Sequence, residues 1–163
     1  MNFKLITVVI VALFGLIVLF VIGLLIYKFY TYRTDTILVN DFVITDQWQE
    51  IEVKHLVPPL SQDRNSIVIA VPASFETFDF RRGIVAPDGT VIEPEVEAID
   101  TDGNSHLFNR TAARRTSNYE MTVYNPYPEL QKGIQIERIR IRSNHEFRAP
   151  VILWSSYDIK DLP

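Results

Sequence analysis

From Leu5 to Ile26 the chain runs for 22 residues without a charge, and Thr7 is the only polar side chain among them. As a helix rising about 1.5 Å per residue, the run reaches about 33 Å, enough to cross the ~30 Å hydrocarbon layer of a bilayer. Lipid offers no partners to backbone N–H and C=O groups, so a segment this apolar has to satisfy them internally. The run predicts a single transmembrane helix that divides the 163-residue chain. Residues 1–33 become an anchor with its interfacial flank, and residues 34–163 a domain held at a membrane surface.

The apolar core is too long for a cleaved signal peptide, and it is followed by Tyr27-Lys28-Phe29-Tyr30-Thr31-Tyr32-Arg33 in place of a small-residue exit. Aromatics mixed with cations suit the headgroup level, where a ring stays half wet. The N-terminal amine and Lys4 balance Lys28 and Arg33, so flanking charge does not set the direction. The short N-terminal tail resembles that of a signal anchor, with the N-terminus cytoplasmic and the domain outside, as in a periplasmic domain on the inner membrane of a bacterial envelope. Gly15 and Gly23 lie about 80° apart around the helix, which gives little basis for close helix pairing. No charge marks an ion path.

Beyond the anchor the sequence reads as all-β. In Gln49–His55, Ile51 and Val53 alternate with Glu50, Glu52 and Lys54, the period of a strand with one wet face. Further strands are expected over Thr36–Thr45, Ser66–Val71, Phe78–Ala86, Thr90–Ile99, Ser105–Arg110, Tyr119–Tyr124, Glu137–Arg142 and Pro150–Ser156. Pro58-Pro59 places a loop over Leu56–Asn65, and the polar run Thr111–Asn118 reads as another. Pro87-Asp88-Gly89-Thr90 supplies a hairpin turn. Pro94 argues for an edge strand, with Glu93, Glu95 and Glu97 on its solvated face. Ile134 and Ile136 sit on the parity of Arg138, Arg140 and Arg142, so a bulge or strand start near Glu137 is needed to keep the isoleucines together. The expected architecture is an antiparallel β-sandwich of eight or nine strands, similar in outline to jelly-roll and galactose-binding-like sandwiches, with no motif that assigns a family.

Charge is divided along the chain. Thr34–Asp102 holds fourteen acidic and four basic residues, Gly103–Pro163 six acidic and nine basic. An acidic domain without a binding signature excludes nucleic acid as the expected partner. The absence of cysteine excludes disulfides, thiolate metal sites and Cys nucleophiles. Neither a phosphate-cradling glycine loop nor a GxSxG elbow is present, so no cofactor and no catalytic residue is expected.

Three candidate sites remain. Arg138, Arg140 and Arg142 share one strand face and, with Arg114 and Arg115, would make a surface for an acidic partner, unless glutamates on an adjacent strand neutralise them. Trp48 follows a turn, where a sugar-stacking platform would stand. Asp100, Asp102 and Asn104 have the oxygen spacing with which calcium loops begin, but Thr111 stands where such a loop needs Glu, and a plain hairpin turn uses the same residues. His55, His106 and His145 lie on separate elements without zinc spacing. The function expected is non-enzymatic: the bilayer held through residues 5–26, and a protein partner bound in a membrane or envelope complex. A carbohydrate-binding module is the alternative, and an anchored hydrolase a third.

Overall fold

The computed structural model describes residues 13–23, 33–60, 64–77, 83–115 and 119–157. The chain divides into Met1–Arg33 and Thr34–Pro163. In the first unit, residues 13–23 are helical. Among the described residues no helix is long and apolar enough to cross a membrane; the rest of Leu5–Ile26 lies outside them. Within this helix every residue is exposed, with Phe14, Leu19 and Phe20 near 70%.

Thr34–Pro163 carries the all-β domain. Its strands are β1 (Arg33–Ile44), β2 (Gln49–Glu52), β3 (Arg64–Pro72), β4 (Ile84–Val85), β5 (Val91–Ile92), β6 (Pro94–Asp100), β7 (Ser105–Arg115), β8 (Tyr119–Pro126), β9 (Ile136–Ser143) and β10 (Phe147–Tyr157). Eight form one antiparallel sheet in the order β1-β10-β3-β8-β7-β6-β9-β2, and β4 and β5 pair separately. A flat sheet of this size would hold its edges about 34 Å apart, seven spacings of about 4.8 Å. Yet edge strands β1 and β2 are joined by only Thr45–Trp48, a link that spans at most about 18 Å. The sheet has to curl until its edges approach, and it forms a nearly closed barrel. Ser143 N donates to Thr45 O at 2.7 Å, tying the end of β9 to the end of β1. The expected sandwich of two facing sheets is therefore replaced by one sheet wrapped on itself.

The wrap sets the burial pattern. Alternate side chains point inward, and Ile67, Ile69, Val71, Tyr124, Ile139, Ile141, Ile152 and Trp154 fill the interior as one core. Phe108 packs on Trp154 with ring centroids 5.9 Å apart. Asn65 through Val71 are buried on both faces, which suits the continuous apolar run Ser66–Val71. In β9 the register skips Glu137, Ile99 facing Arg138 while Asp100 faces Ile136. That irregularity puts Ile136, Ile139 and Ile141 all inside, fully buried, as the conflict of parities required.

Four expectations are corrected. Pro94 does not mark an edge: β6 lies between β7 and β9, and proline is tolerated because it is the strand's first residue. Thr90–Ile99 is interrupted at Glu93, whose N–H turns away to Asn144 Oδ1 at 2.7 Å, so only Val91–Ile92 pairs with β4 across the Pro87–Gly89 turn. Gly83 permits this close approach, since at φ +75° a Cβ there would stand 2.6 Å from Ile92 O. Phe78–Arg82 lies outside the described residues. Thr111–Arg115 is strand, because pairing with β8 continues past a bulge at Thr111 and overrides the polar composition. Finally, β2 stops at Glu52, where Val53 O accepts from Leu56 N and Val57 N in a turn.

Candidate functional site

The arginine row is created by β9 alone, since period two puts Arg138, Arg140 and Arg142 on its outer face. Strand order then decides what the row meets. On one flank β2 brings Glu50 opposite Arg140; on the other β6 brings Glu95 opposite Arg142 and Glu97 opposite Arg140. Arg138 Nη1 donates to Glu50 Oε2 at 3.0 Å, and Arg142 Nη2 to Glu95 Oε2 at 2.7 Å. Arg140 reaches both flanks, Glu97 Oε2 at 3.5 Å and Glu50 Oε1 at 3.7 Å. Each arginine meets a carboxylate of its own domain, so the row is a compensated ladder and not an open cationic surface.

Trp48 is built into the same ladder. The guanidinium carbons of Arg140 and Arg142 stand 4.8 and 4.6 Å from its ring centroid, so cations already stack on the ring that a sugar would use. Arg114 and Arg115 stand on β7 opposite Met121 and Glu120; their side chains lie outside the described residues.

Asp100 is buried at the turn between β6 and β7. Its Oδ1 accepts from Asp102 N at 3.0 Å and Asn104 N at 2.8 Å, and its Oδ2 from Asn104 Nδ2 at 3.1 Å. His106 Nε2 lies 2.9 Å from Oδ2. Chiefly the His106 contact, then the Asn104 and Asp102 donors, hold the carboxyl down at about 2 against its burial. These contacts use the oxygens a cation would need, and the turn closes on itself. Among the described residues no group of three His, Asp or Glu side chains is arranged to hold a metal. His55 and His145 are exposed on separate loops.

Two features escape the sequence reading. The first is a polar cluster on the core face where β3, β7 and β8 adjoin. Glu120 and Thr122 share the inward face of Tyr124. Thr77, fully buried, donates to Glu120 Oε2 at 3.0 Å. Arg110, paired with Tyr124, donates from Nε to Thr122 Oγ1 at 2.9 Å and from Nη2 to Thr77 O. The alternation of Glu120, Thr122 and Tyr124 is visible in the sequence, but which face is inward is fixed only by Tyr124 entering the core.

The second is a cleft of about 250 Å³ at the barrel's seam. Thr34 and Thr36 of β1 form one wall and Val57–Leu60 the other. Asn65, Trp154 and Ser156 line it from within. Trp154 Nε1 donates to Ser156 Oγ at 2.9 Å, and Ser156 Oγ to Asn65 Oδ1 at 3.0 Å. The cleft lies where Val57–Leu60, beyond the end of β2, meets the start of β1, and no local pattern announces that.

Compared with protein-family models, curated proteins and solved structures, the chain finds no match.

Proposed function

We propose that the chain is a non-enzymatic, membrane-anchored β-barrel module that binds a protein partner in a membrane or envelope complex. Residues 5–26 hold the bilayer, and the domain after them stands outside the cytoplasm, periplasmic if the membrane is a bacterial inner membrane. The observation that carries the anchoring is the bare helix over residues 13–23. It is apolar on all sides and no side chain in it is buried. An apolar surface of that kind needs an apolar surrounding.

Against an enzyme weighs the state of the one described histidine–carboxylate pair. Asp100 Oδ2 does meet His106 Nε2 at 2.9 Å, but the same carboxylate accepts from Asp102 N, Asn104 N and Asn104 Nδ2, so the pair belongs to the bonding of a hairpin turn. Against a glycan platform weighs the stacking of Arg140 and Arg142 on Trp48. Protein binding is supported by the incomplete barrel, whose β1 edge has a single neighbour among the described residues.

Extraction of the full chain in native lipid discs, followed by native mass spectrometry, tests the reading. A companion polypeptide at fixed stoichiometry is expected. The chain recovered alone, or with substoichiometric mixtures, would count against it.

A further inference from the structure

Resting on the reading that the domain stands outside the cytoplasm, we propose that Asn109 is the acceptor of an N-linked glycan, carried on the outer face of β7.

The chain contains Asn-x-Ser/Thr once, at Asn109-Arg110-Thr111, with arginine and not proline in the middle. An oligosaccharide transferase reads that spacing, because an amide nitrogen is a poor nucleophile and the hydroxyl two residues on helps to present it. β7 then sorts the three side chains. Period two turns Asn109 outward, between Phe108, which is buried, and Arg110, whose guanidinium donates inward to Thr122 Oγ1 and Thr77 O. Thr111 is the extra residue of the bulge, since Arg110 faces Tyr124 and the next pair is Ala112 with Val123. Asn109 and Thr111 are both exposed, and Thr111 Oγ1 donates to Val123 O at 3.4 Å. The two residues a transferase reads therefore stay on the outside of the finished barrel, and a glycan on Asn109 Nδ2 displaces no core group.

The surroundings support the same assignment. Asparagine is depleted in strands, where its side chain competes for backbone groups. Yet Asn109 is the fifth of the 11 residues of β7, away from either turn. Beside it the surface is apolar. Leu107, two residues earlier on the same face, is 48% exposed, and Tyr127, whose N–H donates to Leu107 O at 2.9 Å, is 75% exposed. Positions two apart on a strand are separated by about 7 Å, within reach of the first sugar, whose apolar face can lie against both side chains. Asn125, opposite Asn109 on β8, offers no second acceptor: its Oδ1 takes the Ser66 hydroxyl at 2.8 Å, and Pro126 follows it.

The transfer forms a bond from Asn109 Nδ2 to the anomeric carbon of the first sugar. It breaks the bond from that carbon to the phosphate of a polyprenyl diphosphate carrier, and the amide proton leaves with the departing phosphate.

The test uses the full chain isolated from its own membranes. A glycosidase that hydrolyses glycosyl-asparagine, acting in heavy-oxygen water, should sharpen and speed the electrophoretic band and leave labelled aspartate at position 109 in peptide mass spectra. Asn109→Gln and Thr111→Val should each abolish the slower band, while Thr111→Ser keeps it; far-ultraviolet circular dichroism verifies that the variants fold. The side of the membrane is read independently with Asp88→Cys, at an exposed turn of a chain that has no cysteine. In sealed vesicles with the cytoplasmic face outward, a membrane-impermeant maleimide should label this variant only after detergent is added. Protection of that cysteine together with an unmodified Asn109, or a slower band that survives Thr111→Val, would overturn the glycan and leave the placement of the domain standing. Labelling before detergent would overturn the placement, and the glycan with it.

Discussion

Removing the charge at Asp100 should lower stability and, more tellingly, flatten its dependence on pH. The carboxyl is held at about 2 against an ordinary 3.8, a difference that corresponds to about 2 kcal/mol at ~1.36 kcal/mol per pH unit. The turn around it is exposed at Asp102, Gly103 and Asn104, so solvent screening reduces the expected contribution to about 1–2 kcal/mol. Because the folded state depresses this pKa, the contribution is fully present above about pH 4 and is lost as the pH falls through about 2. Urea titrations of the full chain in nanodiscs, followed by tryptophan fluorescence at several pH values, read it directly. Asp100→Asn should be less stable than wild type by about 1–2 kcal/mol at pH 6, with the two converging near pH 2. Curves that stay parallel from pH 6 to pH 2 would refute the assignment.

Tyr124 gives a prediction of opposite sign. Among the described residues its buried hydroxyl meets no partner at hydrogen-bonding geometry, the nearby Thr122 hydroxyl being engaged by Arg110, and burial pushes the phenol pKa up. Tyr124→Phe should therefore leave stability unchanged or raise it by up to about 1 kcal/mol in denaturant titration. Gly83→Ala should cost at least ~1–2 kcal/mol, because φ is +75° and the added carbon meets Ile92 O, and the loss should appear as a lower midpoint in thermal melts. Arg140→Ala should cost only about 0.5–1 kcal/mol, since its partners are partly exposed, and should leave co-purification of the companion unchanged.

Much of the strand pattern is written locally. The turn at Pro87–Gly89, the central strand Ser66–Val71 and the irregularity at Glu137 each follow from residues within a few positions of one another. What local pattern does not carry is which strands become neighbours. Pro94 looks like an edge signal until β7 and β9 close on both sides of β6, and Thr111–Arg115 looks like a loop until β8 pairs with it. The arginine row was legible as a row, and so was its neutralisation as an alternative. Only the order β6-β9-β2 makes Glu50, Glu95 and Glu97 its partners. The seam cleft was not legible, because it depends on two edges separated by the whole sheet coming together around a four-residue link.

Alkaline carbonate fractionation of the intact chain from its own membranes tests the anchoring most directly. The account predicts that it stays in the membrane pellet, held by Leu5–Ile26. Recovery of the intact chain in the supernatant would contradict it.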